Sequence, residues 1–231
     1  MASNLMTASV NSHEVVFAGD AVHLAGQIDV PESDQKRQTY PLIFIIHHAA
    51  APSREDYAPF SKMALEARYA MFRWDRRGSG RSGGGARGST IQDAVNAYEI
   101  ALEQKAVRRQ NVVILAFGAG TALLGNSFGL FARVQRPAGV LLISNQLNVR
   151  QILAIDTRVL LVSGAGDWNA APEYTAMPAL AHRKTYPYGA DAFVAPDADS
   201  MLLMDDGTMH PRARKEMTTW LLNLQRNSTL I

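Results

Sequence analysis

A strand whose residues are apolar one after another, rather than at every second position, has to be covered on both faces. Leu42–His47 is such a run, and Val112–Phe117, Gly139–Ser144 and Arg158–Ser163 come close to it, each six residues long. Ala70–Trp74 has the same character. Between these runs the apolar residues change period. Phe60, Met63, Ala64 and Ala67 recur at helical spacing, as do Ile91, Ala94, Val95, Tyr98 and Leu102. Strand, helix and strand in repeated alternation predict parallel strands joined by right-handed crossovers, with helices on both sides of the sheet.

The remaining segments fit the same plan. Val15–Phe17 and Val22–Ile28 flank Ala18-Gly19-Asp20-Ala21 and read as an opening antiparallel hairpin. Ser89 and Gln92 carry a capping-box spacing ahead of the second helix. Further helices are expected over about Thr121–Ala132, Val149–Ala154 and Glu173–Ala181, with a short strand at Arg183–Tyr186. Pro211 suits the first turn of a last helix whose stripe is Met217, Trp220, Leu221 and Leu224. No repeat, linker or low-complexity tract divides residues 1–231, so one domain is expected. Its 231 residues are enough for a core that needs no staples.

Composition removes several function classes. Cysteine is absent, which excludes disulfides, thiol nucleophiles and thiolate metal sites. With 23 basic against 21 acidic residues the net charge is only +2, so a nucleic-acid partner is not expected. Met1 to His13 has neither the basic start nor the apolar stretch of a secretion signal. The longest apolar runs fall far short of the roughly 20 residues that cross a bilayer. The expectation is a cytoplasmic chain with no membrane partner and no cofactor or metal. Adjacent residues of a strand face opposite ways, so His47 and His48 cannot chelate one ion together.

In a parallel sheet, ligands bind outside the carboxyl ends of the strands. The turns expected there include His47-His48-Ala49, Asp75 to Gly83, Gly118-Ala119-Gly120, Ser163 to Asp167, and a loop starting at Gly189. Their residues carry a resemblance. Ile43-Phe44-Ile45-Ile46-His47-His48 resembles the strand that leads into an oxyanion loop, with His48 in place of a glycine. Trp74-Asp75-Arg76-Arg77-Gly78-Ser79-Gly80-Arg81-Ser82 resembles a D-x-R-G-x-G-x-S turn. Val162-Ser163-Gly164-Ala165-Gly166-Asp167 resembles a G-x-x-D turn that supplies an acid. In this order the chain resembles the α/β-hydrolase family, and more particularly its small members similar to dienelactone hydrolase. Arg158 follows Ser144 by only fourteen positions, where lidded relatives insert a cap. The resemblance implies a three-layer α/β sandwich with a mostly parallel central sheet and no lid.

It also implies where chemistry should sit, and there the chain departs from it. The family's reaction uses a Ser, Cys or Asp nucleophile on a strained strand-to-helix elbow, a His that takes its proton and an acid that orients the His. The elbow here reads Ala116-Phe117-Gly118-Ala119-Gly120, which puts Gly118, without a side chain, where the nucleophile would stand. Asp167 matches the acid. Tyr186 to Phe193 resembles the segment carrying the base, with Asp191 in place of His. His210 lies later and could replace it, or could simply neighbour a helix cap. Were Asp191 beside Asp167, like charges at close range would leave the two carboxyls sharing a proton. The oxyanion loop and elbow make His47, His48, Ala49, Gly118 and Ala119 the expected ligand contacts, with Trp168 beside Asp167 as a further pocket wall.

Two literal motifs compete with this reading. Gly125-Asn126-Ser127-Phe128-Gly129 matches G-x-S-x-G, but nine residues separate Ser127 from Pro137, too few for a helix and turn. Eighteen separate Gly118 from Pro137. Ser127 is therefore expected inside a helix, with Gly125 and Gly129 letting that helix approach the sheet. Gly78 to Gly83 matches G-x-G-x-x-G, yet no helix opens until about Ser89, which argues against a dinucleotide site. Arg73, Arg76, Arg77, Arg81 and Arg87 gather charge near the rim, either as a structural turn or to capture an anionic substrate. Three functions stay open: a small-molecule binder or non-covalent acid–base catalyst with a degenerate triad, a hydrolase of small carboxylic esters or lactones using Ser127 or an activated water, and a non-catalytic scaffold.

Overall fold

In a computed structural model, which describes residues 11–33 and 38–228, eight strands form one sheet. The polar start read at residues 1–10 lies outside those residues. The strands are β1 (Asn11–Ala18), β2 (His23–Val30), β3 (Tyr40–Ile46), β4 (Ala70–Trp74), β5 (Val107–Phe117), β6 (Gly139–Ile143), β7 (Arg158–Gly164) and β8 (Ala190–Ala195). The helices are α1 (Ala58–Glu66), α2 (Thr90–Leu102), α3 (Ala119–Val134), α4 (Val149–Ile152), α5 (Ala176–Thr185) and α6 (Pro211–Ser228). The sheet order is β1-β2-β4-β3-β5-β6-β7-β8. Only β2 runs antiparallel to its neighbours, and every pair from β4 to β8 is parallel.

The unbroken apolar runs have the cause read from them. Leu42, Phe44 and Ile46 of β3 pack with Ala94 and Tyr98 of α2 and Leu124 and Phe128 of α3. Ile43 and Ile45, pointing the other way, pack with Phe60 and Met63 of α1 and Met217 and Leu221 of α6. Each such side chain, fully buried, contributes about 1.5–3 kcal/mol. Trp74 is part of the core and Trp220 is partly buried against it. No helix among the described residues is long and apolar enough to cross a membrane.

Two local expectations are corrected. Ser89 does cap α2, its hydroxyl accepting from Gln92 N at 3.4 Å, but the Gln92 amide turns to Asn96 at 2.8 Å. Asp20 takes the Ser89 N–H instead, at 2.7 Å. Nor is there a strand over Arg183–Tyr186. Arg183 and Lys184 extend α5, where His182 is buried with Nε2 hydrogen bonded to Ile155 O at 2.7 Å, and the eighth strand starts at Ala190. As a sheet edge with half of its residues exposed, β8 has only a short apolar stretch, residues 192–195, where the inner strands have longer ones.

Candidate functional site

Because β3 to β8 are parallel, their carboxyl ends share one edge of the sheet. The turn from β5 into α3 takes a single residue, Gly118, with φ 48° and ψ −116°. That region strains residues with a Cβ and suits glycine. The turn is tied down on both sides. Gly118 N donates to Ile143 O at 2.9 Å, and Gly118 O accepts from Thr121 N at 2.9 Å and Thr121 Oγ1 at 2.7 Å. The Thr121 hydroxyl in turn accepts from Gln146 N at 2.9 Å.

The space above Gly118 is taken by an imidazole. A Cβ on Gly118 would overlap the Cδ2 edge of His48 and lie 2.6 Å from its Nε2. Three bonds set that ring. His48 N donates to the Tyr57 hydroxyl at 2.8 Å, the same hydroxyl donates to Ala51 O at 2.7 Å, and His48 Nδ1 accepts from Ala50 N at 3.1 Å. Burial pushes the Tyr57 phenol well above its usual range, so it keeps the proton it donates. An accepting Nδ1 leaves the ring proton on Nε2, so the group facing Gly118 is a hydrogen-bond donor and not a base.

His47 faces the opposite way and is buried. Its Nε2 bonds Trp74 O, and its ring stands edge-on to Trp74 and Tyr57, with centroids 4.6 and 5.3 Å away. Burial, aided slightly by the nearby Arg76 charge, pushes its pKa down to about 3. It is a buried, neutral group whose ring packs on Trp74 and Tyr57 and also lines a cavity at the start of α3.

The expected acid and base do not meet. Asp167 does follow β7, but its carboxylate accepts from Ser144 Oγ at 2.6 Å and caps the turn Trp168–Ala170 through Asn169 N at 3.5 Å. Among the described residues no histidine hydrogen bonds to it. Ser144 also lies 2.6 Å from Ser200 O, in the loop after β8, and its φ of 52° is unusual for a serine. Asp191 is the second residue of β8, opposite Leu160, while Ala195 pairs with Gly164 at the carboxyl end. The placement beside Asp167 is therefore corrected: Asp191 sits toward the other end of the strand, and placing the last strand too early produced the error. His210 sits just before α6, with Nδ1 accepting from Ala213 N at 3.4 Å, and is itself the cap of that helix. Ser127 is buried in the interior of α3, away from any turn. Gly125 lies against Leu147, whereas Gly129 faces open space, so only the first serves close packing, and against a loop rather than the sheet. Ala49 and Ala119 are exposed at the edge. Trp168 is exposed, edge-on to Tyr174 at 5.0 Å, and does not close a pocket.

The turn after β4 is structural. Asp75 accepts from Arg54 N at 2.8 Å and Arg81 N at 2.9 Å, and Gly80 packs so tightly on this carboxylate that a Cβ would overlap it. Of the loop N–H groups that a phosphate would seek, Arg81 N is taken by that carboxylate and those of Gly78, Ser79, Ser82 and Gly83 by backbone carbonyls. Arg77 pairs with Asp93 of α2 at 2.6 Å, and Arg73 with Asp29 of β2 at 2.8 Å. Burial alone would raise the Asp29 carboxyl, but the Arg73 guanidinium, together with hydrogen bonds from the Ser12 and Ser61 hydroxyls, holds the group below the usual range.

At the Ala119-Gly120 start of α3 lies a cavity of about 260 Å³, and two of the expected ligand contacts, His47 and Ala119, line it. Ile46, Trp74, Ala94 and Leu123 make it largely apolar, and Arg76, which sequence reasoning placed only at the rim, also lines it.

No protein-family profile and no curated protein matches this sequence. Solved structures do. An acetyl xylan esterase from a Paenibacillus species superposes with a TM-score of 0.68 at 12% identity, over 96% of this chain and 86% of that one. The esterase domain of a Rhodothermus marinus protein gives 0.67 at 14% identity, over 92% and 99%. A lidless α/β serine hydrolase from Xanthomonas campestris gives 0.61 at 14% identity, over 94% of both. At such identities the likeness is one of fold: an eight-stranded, mostly parallel α/β-hydrolase sheet with helices on both faces and no lid.

Proposed function

We propose that this α/β-hydrolase-fold chain binds a small molecule without forming a covalent intermediate, in the space bounded by Gly118, Ala119, His48 and the adjoining cavity. One observation supports the reading: the one-residue turn between β5 and α3 is Gly118, and the His48 ring fills the volume that a side chain there would need. We take this turn as the place where the fold puts an attacking oxygen. Without that oxygen no acyl intermediate can form. What the site offers instead are donors: His48 Nε2–H and the N–H of Ala119, which has no acceptor among the described residues. An imidazole N–H beside a helix start can hold and polarise a carbonyl or carboxylate oxygen. Ala49 borders the same loop, and His47 lines the adjoining cavity.

A second reading, hydrolysis of small carboxylic esters, is favoured by the esterases that share the fold. It needs Ser127 or an activated water, and Ser127 sits inside α3 while Asp167 is engaged by Ser144. Incubation with p-nitrophenyl acetate separates the two. The proposal expects release of p-nitrophenol no faster than with a histidine-matched control, alongside saturable binding of small acyl compounds by ligand-observed NMR. A stoichiometric burst of p-nitrophenol would install the hydrolase reading.

A further inference from the structure

The cavity at the start of α3 carries an electrostatic signature of its own. Of the two arginines lining it, Arg77 is spent: its Nε pairs with Asp93 at 2.6 Å and its Nη2 donates to Asp20 O at 3.0 Å. Asp93, the acidic group on the cavity wall, is likewise occupied, since its second oxygen accepts from Asp20 N at 2.7 Å. Arg76 differs. Its Nη2 donates to Ala49 O at 3.1 Å, and it forms no ion pair among the described residues. Among the lining side chains this leaves one internal pair and one guanidinium without an ion pair, with the Asp75 and Asp20 carboxylates outside the lining. The opening turn of α3 adds to this, because it contains no acidic residue and no side-chain cap. His47, held neutral by burial, neither adds to nor offsets that charge.

We infer that the cavity takes a small organic carboxylate, its apolar body against Ile46, Trp74, Ala94 and Leu123 and its anionic group on Arg76. The volume, about 260 Å³, lies just under the range of drug-sized sites, so the body is compact. A guanidinium has five N–H donors in a planar fork, and one bond to Ala49 O leaves enough of them for a carboxylate. Arg76 occupies the variable position of the D-x-R-G-x-G-x-S turn, so holding that turn together falls to Asp75 and Arg77 and leaves Arg76 available for a ligand.

The inference rests on the proposed non-covalent binding and narrows its ligand class. The test measures benzoate and hexanoate against their uncharged isosteres benzamide and hexanamide by calorimetry, using wild type, Arg76→Ala and Leu123→Phe. At least one carboxylate is expected to bind, to weaken about tenfold or more in Arg76→Ala, and to weaken in Leu123→Phe, which narrows the cavity. The matching amide should bind more weakly to wild type and be indifferent to Arg76→Ala. Circular dichroism confirms that each variant is folded. Carboxylate affinity unchanged by Arg76→Ala overturns the ligand class while leaving small-molecule binding intact. No saturable binding of any of the four compounds overturns both.

Discussion

The turns that follow β4 and β5 stand side by side at the same edge of the sheet and are built on opposite principles. After β4, nearly every charge has a partner. Asp75 gathers the backbone of Arg54 and Arg81, Arg77 pairs with Asp93, and Arg73 with Asp29. After β5 there is one glycine, with a histidine ring from the neighbouring loop above it and, beside it, the Ala119 N–H, which has no acceptor among the described residues. The first turn spends most of its polar groups on its own structure and leaves Arg76 over. The second ties down Gly118 and Thr121 and leaves the Ala119 N–H without an acceptor among the described residues. A motif match alone does not separate the two; the accounting of partners does.

That contrast can be broken at either end. The largest effect is expected in the closed network. Asp29→Ala strands Arg73, which is buried, and should cost about 3–5 kcal/mol in urea unfolding. A loss under about 1 kcal/mol would mean the pair holds little together. Next comes the open turn. Gly118→Ser forces a Cβ into a strained backbone region and against His48, so it should cost about 1–3 kcal/mol. His48→Gly in the same background should recover part of that, and strictly additive single and double variants would show that the two residues do not touch.

The pH dependence comes from the residue between the two turns. His47 has a folded pKa of about 3, below its ordinary 6.5, so the unfolded chain binds the proton first. Stability from this group is therefore complete above pH 6.5 and is lost as pH falls towards 3, by up to about 1.4 kcal/mol per unit. His47→Gln should flatten that slope between pH 6.5 and 4, and an unchanged slope would assign it elsewhere. The smallest effect belongs to Ser127→Ala. A buried helical serine with no side-chain bond among the described residues should give a stability change within about 0.5 kcal/mol and no change in binding.

Much of this architecture is legible in the chain. The unbroken runs of β3, β5 and β6 report burial on both faces directly, and the eighteen residues between Gly118 and Pro137 locate the elbow. The last strand is hard to place, because β8 lies at the edge with half of its residues exposed, and Asp191 cuts its apolar stretch to the four residues 192–195. That one misplacement put Asp191 in the site when the loop after β8 in fact begins at residue 196. The position of His48 is hidden for a different reason. Alternation along β3 separates His47 from His48, but only the bonds from Tyr57 and Ala50 aim the second ring at Gly118. Asp167 was found at the right turn, while its engagement by Ser144 depends on a contact across 23 positions of sequence.

The central claim is that no side-chain oxygen at this edge is poised to attack. Intact-mass spectrometry after treatment with a fluorophosphonate reads this directly. The account predicts an unmodified mass under conditions that fully label a serine esterase control. A single stoichiometric adduct, abolished by Ser127→Ala or Ser144→Ala, would contradict it.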